Sequence, residues 1–311
     1  MALTLTEGEL YTTTHMYRTL IDRLVKESKI LEKLPFVSIL GNSLTYDTVT
    51  TRSDAAFYAV SDTWVESTPS LTQATVALKK LGGDAQVDNF ILDTRADQID
   101  IKGAVLDDKV KAVQEAFLDQ FYYGTDIDAK GFAGLQSLIS STTYNTVHAG
   151  ATTGTALSID KLRTAIDLIT GFKAQAIVMG KEIRRKLSVY LDSVGDKFPM
   201  LSDHIFGGFL PAFDGIPIIV DDHILNTEVA ASGAYSAPTG GGNTTIFVLT
   251  FGEQGACGVQ GKNGIQMEPL GNMETKDAQA WRIKWYCGLM FKNLRSCAKV
   301  DGIVSAGTVT A

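Results

Sequence analysis

The stretch DTRADQIDIKGAVLDDKVKAVQEAFLDQFYYG, Asp93 to Gly124, decides how the rest of the chain is read. Ile99, Leu106, Val110, Val113, Phe117 and Phe121 recur at steps of three, four or seven, which puts them on one stripe of a helix. Asp100, Asp107, Asp108, Lys111, Gln114 and Asp119 fill the other side. Gly124 stands where a helix stop belongs, ahead of the turn-rich Thr125-Asp126-Ile127-Asp128. Two lengths fit this periodicity. A helix over the whole stretch is a rod of roughly 45 Å at ~1.5 Å per residue, and it implies an extended, flat molecule. A helix beginning near Gly103 is an ordinary core element.

Upstream, Thr6 and Glu9 form a capping box that opens a first helix. Leu10, Tyr17, Leu20, Ile21, Leu24, Leu31 and Leu34 give it an apolar stripe, and Pro35 stops it. Arg18, Arg23, Lys26, Lys29 and Lys33 are mixed with Asp22, Glu27 and Glu32, the pattern of a solvated face. This helix reads as an arm that packs on something else. Val37 to Asp93 is strand-prone and only modestly hydrophobic. Leu44 to Val49 alternates with period two; Ala55 to Val65 carries Phe57, Tyr58 and Trp64; Gly82-Gly83-Asp84 reads as a turn. A two-stranded ribbon is marginal alone in water, so this excursion needs a neighbour.

Downstream, the polar stretch Ser140 to Thr155 is the best internal boundary. Residues 158–222 read as a helix–strand–helix–strand unit: Ser158 caps a helix with Ile159, Leu162, Ile166 and Ile169 on one face; Ala174 to Met179 is a short strand; Lys181 to Val194 is helical; Pro217 opens an edge strand. Gly233 to Asn243 is a glycine-rich surface loop, and Thr245 to Thr250 a buried strand. Trp281 to Phe291 alternates strictly, and a strand running on to Val300 would span roughly 65 Å at ~3.3 Å per residue.

Composition excludes more than it assigns. The 311 residues, 45% of them hydrophobic, suffice for two domains or one core with large excursions. A net charge of −7 argues against a protein that wraps nucleic acid by neutralising phosphates. No apolar run reaches membrane-span length, and no secretory signal is evident. Cys257, Cys287 and Cys297 form no CxxC pair and read as reduced, buried thiols. Of four scattered histidines, only His223, after Asp221-Asp222, has carboxylates beside it; a polar loop after a strand outweighs a metal site. Gly255 to Lys262 fails as a phosphate loop, because Ala256 replaces the first glycine and Asn263 the magnesium-binding hydroxyl. Arg184-Arg185-Lys186 is a basic cluster on a helix, read as a solvated face with an intersubunit ion pair next. Neither catalytic residues, nor a cofactor, nor a metal are expected.

The order of these elements resembles the major capsid proteins of tailed bacteriophages. Leu34-Pro35-Phe36 followed by Gly41-Asn42-Ser43-Leu44-Thr45-Tyr46 is similar to that family's arm-to-sheet passage. Gly131-Phe132-Ala133-Gly134-Leu135-Gln136, Gly215-Ile216-Pro217-Ile218, Phe251-Gly252-Glu253, Gly258-Val259-Gln260-Gly261 and Trp281 to Leu289 resemble later parts of it. The resemblance implies an α+β fold shared with encapsulins and the herpesvirus capsid floor. It places an N-arm at 1–34, a P-domain strand at 35–49, an extended β-hairpin E-loop at 50–90, and a P-domain at 91–155 with its spine helix at about 94–123. An A-domain at 156–262 and P-domain C-terminal strands at 263–311 complete it. Gly103 becomes the natural bend point of one long helix.

The resemblance also implies a shell of hexamers and pentamers enclosing double-stranded DNA without sequence-specific binding. Expected partners are further copies of the chain, a separate scaffolding protein, a portal and a decoration protein, with assembly in the host cytoplasm and no membrane. Intersubunit contacts are expected at Tyr17, Leu24, Leu31, Phe57, Tyr58, Trp64, Lys79, Lys80, Arg184 and Arg185. Some family members crosslink an E-loop lysine to a neighbour's asparagine; Lys79 and Lys80 lie in that region, but no residue here matches the partner asparagine or the catalytic acid. The same-fold alternative is an encapsulin-type compartment. The alternative of another class is a soluble enzyme built on residues 158–222, against which the lack of a convergent catalytic set speaks.

Overall fold

The computed structural model describes residues 29–95, 101–140, 145–150, 153–195, 200–203, 208–293 and 295–310. The first described helix, α1 (Ile30–Lys33), ends at Leu34, whose φ of −75° and ψ of 112° are extended, as a residue before proline prefers. β1 (Phe36–Ile39) follows, then β2 (Ser43–Thr51) and β3 (Ser70–Ala77), which pair antiparallel from Ser43↔Ala77 to Thr51↔Ser70. β4 (Lys79–Asp88) leads into α2 (Asn89–Arg95) and α3 (Ile101–Tyr123). The expected rod is therefore described from Ile101 to Tyr123, with Gly103 inside it, while residues 96–100 lie outside the described residues.

The long helix packs on a four-stranded sheet in the order β1-β13-β14-β4, where β13 is Ala256–Asn272 and β14 is Ala278–Phe291. Alternation decides the faces. Trp281, Ile283, Trp285, Cys287 and Leu289 of β14 point to α3 and join Leu106, Val113, Phe117 and Phe121 in the largest core. The opposite face of the sheet, with Cys257, Val259 and Met290, is covered by the base of the β2–β3 hairpin through Leu44, Tyr46 and Val76. Gly258 is a glycine because the Phe36 ring lies against the space a Cβ would take.

The second core belongs to a seven-stranded sheet in the order β5-β15-β12-β6-β9-β8-β7. Its strands are β5 (Thr146–His148), β6 (Ala176–Met179), β7 (Met200–Asp203), β8 (Gly208–Phe213), β9 (Ile216–Val220), β12 (Asn243–Leu249) and β15 (Ala298–Val304). β10 (Val229–Ala231) and β11 (Ala234–Ala237) make a separate ribbon. α4 (Leu135–Ser140) follows the long helix. α5 (Ile159–Asp167) and α6 (Lys181–Val194) cover the seven-stranded sheet with Ile159, Leu162, Ile183 and Leu187. The expected helix–strand–helix–strand unit is thus α5, β6, α6 and β9, with β6 and β9 parallel across the α6 crossover; β9, expected at an edge because of Pro217, instead lies inside the sheet between β6 and β8, where Pro217 is opposite Ala212.

Six further expectations change. Gly82-Gly83-Asp84 is no turn: β4 runs straight through it, and the glycines admit the Ile283 carbonyl and the Lys109 side chain. The final strand does not run from Trp281 to Val300. It ends at Phe291, a turn closed by Ser296 N–H to Asn293 C=O (3.1 Å) reverses it, and Val300 lies in β15 of the other sheet. Residues 52–69 contain no regular strand. The glycine-rich loop contains β11, and residues 256–272, expected partly in one domain and partly in another, are a single 17-residue strand of the four-stranded sheet. Finally, the arm does not stand apart at its C-terminal end, because Ile30 and Leu34 are buried in the largest core.

Candidate functional site

The loop between β2 and β3 is shaped by its own polar groups. Asp54 N–H donates to Ser67 Oγ (2.8 Å), Ala59 N–H to Asp62 Oδ2 (2.6 Å) and Val65 N–H to the Tyr58 hydroxyl (3.1 Å). The Tyr58 and Trp64 rings stack with centroids 4.5 Å apart. Closed on itself this way, the loop holds Phe57 (109% exposed), Val60, Trp64 (79%) and Val65 outward, and Val49 and Leu71 extend the apolar surface down the hairpin. A contiguous exposed apolar surface of this kind marks an interaction site rather than a solvated loop. Sequence reading named Phe57, Tyr58 and Trp64; it did not name Val60, Val65, Val49 or Leu71.

The other expected contact residues are scattered. Tyr17 and Leu24 lie outside the described residues. Leu31 is partly buried, packed against its own core. Lys79 and Lys80 sit on the edge strand β4 opposite Cys287 and Tyr286, not in the loop, where exposed lysines discourage stray strand pairing. Arg184 and Arg185 are exposed on α6 and, with Lys181, Glu182, Val220 and Asn226, line an open depression of about 640 Å³. Lys181 pairs with Asp222 (2.6 Å) and Glu182 with Lys186 (3.5 Å). Neither arginine has a carboxylate partner among the described residues.

A buried polar joint links the two cores, and nothing in the local sequence announces it. Tyr123, the last residue of α3, donates its hydroxyl to Glu228 Oε1 (2.8 Å) and accepts Leu225 N–H (2.7 Å). Thr245 of β12 donates to Glu228 Oε2 (2.6 Å) and accepts Gln136 Nε2 of α4 (3.2 Å). Lys299 of β15, fully buried, donates to Gln136 Oε1 (3.1 Å) and pairs with Asp301 (3.3 Å). Burial pushes the Glu228 carboxyl up to about 7, against the hydrogen bonds from Thr245 and Tyr123 that pull it down. Burial likewise pushes the Lys299 ammonium down and the Tyr123 phenol up.

His223, itself buried, has Nδ1 2.7 Å from Oδ1 of the half-buried Asp119, while Asp221 accepts the Tyr122 hydroxyl (2.7 Å). Among the described residues, no group of three or more His, Cys, Asp or Glu side chains is placed to hold a metal. All three cysteines are buried and unpaired as disulfides.

The raised carboxyl makes a signed prediction. A carboxylate whose folded pKa lies above its unfolded value favours the fold most below about 4.5, and that contribution is lost as pH rises through about 7. At ~1.4 kcal/mol per pKa unit the loss is about 3 kcal/mol. In urea unfolding of the unassembled subunit, wild type is expected to weaken across this window relative to Glu228→Gln, whose profile stays flatter. Parallel profiles would show that Glu228 does not titrate there.

Comparison with known proteins fits this architecture. The phage capsid family model matches residues 8–282. The structure of the holo-SrpI encapsulin complex from Synechococcus elongatus PCC 7942 superposes with a TM-score of 0.72 at 16% identity, covering 100% of this chain and 99% of that one. The capsid of the native GTA particle gives 0.64 at 14%, covering 96% and 98%. Mycobacterium phage Ogopogo gives 0.62 at 15%, covering 96% and 99%. No curated protein matches the chain in sequence. At these identities the superpositions establish the shared fold and do not choose between phage capsid and encapsulin. The family model, which matches most of the chain in sequence, favours the phage side: the chain belongs to the phage capsid family and is a major capsid protein.

Proposed function

We propose that copies of this chain close into rings of six and five that tile an icosahedral shell around double-stranded DNA. One observation carries the reading: the β2–β3 loop presents Phe57, Val60, Trp64 and Val65 in a fixed shape, and nothing described in its own chain covers them. A contact from a loop on one copy to a different patch on the next is heterologous, and heterologous contacts close into rings when the rotation allows. In this reading α3 and the four-stranded sheet are the P-domain, the seven-stranded sheet with α5 and α6 is the A-domain, and residues 1–34 are the N-arm. The E-loop is the β2–β3 hairpin, shorter than 50–90, because β4 belongs to the P-domain sheet. Arg184 and Arg185, exposed and without a carboxylate partner among the described residues, are candidates for an intersubunit ion pair.

The role is structural, without catalysis. A scaffolding protein, a portal and a decoration protein complete the particle, which assembles in the host cytoplasm. No described helix is long and apolar enough to cross a membrane. Electron microscopy of the expressed full chain, combined with nuclease-protection of particles from infected cells, tests the proposal. Closed shells holding nuclease-resistant DNA are expected. Small particles only would overturn the assembly reading, and shells that hold protein cargo instead of DNA would transfer the chain to an encapsulin-like role.

A further inference from the structure

The segment after β9 crosses the end of the long helix and returns as the β10–β11 ribbon. The ribbon is a two-stranded sheet of its own, reversed at Ser232 and Gly233, whose φ values of 52° and 77° suit a tight hairpin turn. Two strands this short are marginal alone in water, so the ribbon depends on what holds it down. Its anchors reach the end of α3. Leu225 N–H donates to the Tyr123 hydroxyl (2.7 Å), that hydroxyl donates to Glu228 (2.8 Å), and the Tyr235 hydroxyl donates to the exposed Asp126 (2.9 Å). The Tyr235 ring lies over Tyr123, with centroids 6.2 Å apart, and its centre is 5.7 Å from Lys299 Nζ. Glu228 is tied to β12 only through Asn243 and Thr245. After β11 the chain returns through Gly240, Gly241 and Gly242, and the φ of 111° at Gly240 is one that glycine adopts without strain.

Charge under the ribbon balances in only one protonation state. Lys299 Nζ, fully buried, faces the buried Asp301 (3.3 Å), which His148 of β5 contacts from the other side (2.5 Å). The half-exposed His148 adds positive charge only when protonated. Tyr123 and Tyr235 stay neutral, because burial pushes both phenols up. Gln136 and Thr245 complete the surroundings without charge. With Glu228 neutral, one buried ammonium meets one buried carboxylate. With Glu228 ionised it meets two, and Asp126 adds a third negative charge at the rim. A buried carboxylate without a counter-charge of its own is costly. Glu228 belongs to the same segment as the ribbon, so lifting that segment moves the charge into water while both cores keep their strands.

We propose that residues 225–237 are a strap that stays shut over this joint while Glu228 is protonated and lifts when Glu228 ionises, uncovering Lys299 and the end of α3. The direction follows from linkage. The Glu228 carboxyl, held up at about 7 by burial, falls back to about 4.5 once the strap is open, so opening grows with pH between these values and levels off above about 7. Over the whole span the opening equilibrium changes on the order of a hundredfold.

Hydrogen–deuterium exchange of the full chain, unassembled and read by peptide mass spectrometry, tests this. Dividing the exchange rate of residues 225–237 by that of α5 in the same sample cancels the intrinsic effect of pH on amide exchange. The ratio is expected to rise roughly ten- to a hundredfold from about pH 5 to about pH 8 in wild type. It is expected to stay flat in Glu228→Gln, which keeps the shape of the neutral carboxyl. A flat ratio in wild type overturns the proposal, and so does a rise that Glu228→Gln shares. Exchange that accelerates equally in the strap, α5 and β14 is global unfolding rather than release and overturns it too. Should Glu228→Gln fail to fold, Tyr235→Phe replaces it. That change removes the bond to Asp126 and leaves Glu228 in place, so the ratio is expected above wild type at both pH values; a ratio equal to wild type overturns the strap. Because both readouts come from unassembled subunits, neither bears on the shell-forming role.

Discussion

Deleting residues 52–69 and joining Thr51 to Ser70 through an Asn-Gly turn is expected to give a folded subunit that builds no shells. The strands are already in register at that point, with Thr51 opposite Ser70, and a two-residue turn of that sequence matches their twist. Residues 52–69 are exposed throughout except for Tyr58, which is shielded by Trp64 rather than by the core. Their removal therefore costs folding little, within about 0.5 kcal/mol, as for other surface changes. The cost falls on assembly. Obligate interfaces bury roughly 2,000–5,000 Å², and only a small surplus over ordering costs appears as affinity. Losing an aromatic anchor from every copy removes that surplus at each contact of the shell at once.

The extent of the deletion decides what is learned. Extending it to residue 88 removes β3 and β4, which takes away Ala85 and Val87 from the core and leaves β14 without its partner from Lys79 to Asp88. That longer deletion is expected to unfold the subunit and says nothing about assembly. The comparison is read by size-exclusion chromatography and negative-stain microscopy, with near-ultraviolet circular dichroism to confirm packing. Shells of normal form from the 52–69 deletion would falsify the role given to the loop.

How much of this was legible in the sequence differs by element, and the reasons are physical. The stripe from Leu106 to Phe121 was legible because one face of α3 is solvated, so the 3.6 period survives. Its last turn was not: Leu118, Gln120, Tyr122 and Tyr123 are buried too, since the helix ends between two sheets, and burial all round erases periodicity. The chain after Thr250 reads as β, but the extent of β13 was not legible because Gly261, Gly264, Pro269 and Gly271 carry turn signals, whereas here they lie on a strand whose outer edge has no neighbour beyond Gly261 among the described residues. Gly82-Gly83 misled for a related reason, close approach of the β14 backbone and Lys109 rather than a reversal. The loop tip was legible in part, through Phe57 and Trp64 in a polar excursion that needed a neighbour. The joint around Glu228 was not legible at all. Tyr123, Glu228, Thr245 and Lys299 come from the end of α3, the segment before β10, β12 and β15, and they meet only because β12 and β15 are neighbours and Glu228 bridges to Asn243 at the start of β12.

Phe117→Ala is expected to destabilise the unassembled subunit by about 3–5 kcal/mol, the range for deleting a fully buried aromatic ring. Phe117 has no exposed surface, and its ring meets four others: Trp285 at 4.5 Å, Phe132 at 5.5 Å, Phe36 at 5.9 Å and Phe121 at 6.4 Å between centroids. Those partners sit on β14, on the segment after α3, on β1 and on α3 itself, so one side chain ties together two strands of the sheet, the long helix and the segment that follows it. The cavity left by alanine cannot be closed by moving one neighbour, because each partner is fixed by its own strand or helix. Against a total stability of roughly 5–15 kcal/mol the loss is a large fraction, so expression at elevated temperature falls as well. Tryptophan fluorescence, to which the buried Trp281 and Trp285 both contribute, reports the change: its urea-unfolding midpoint is expected to fall, with Phe90→Ala, exposed on α2, staying near wild type. The measurement belongs on unassembled subunits, because neighbours in a shell bind only the folded form and add their own stabilisation. A midpoint unchanged from wild type would mean that the rings around position 117 repack without loss, and that the long helix is held to the sheet by its ends rather than by its centre.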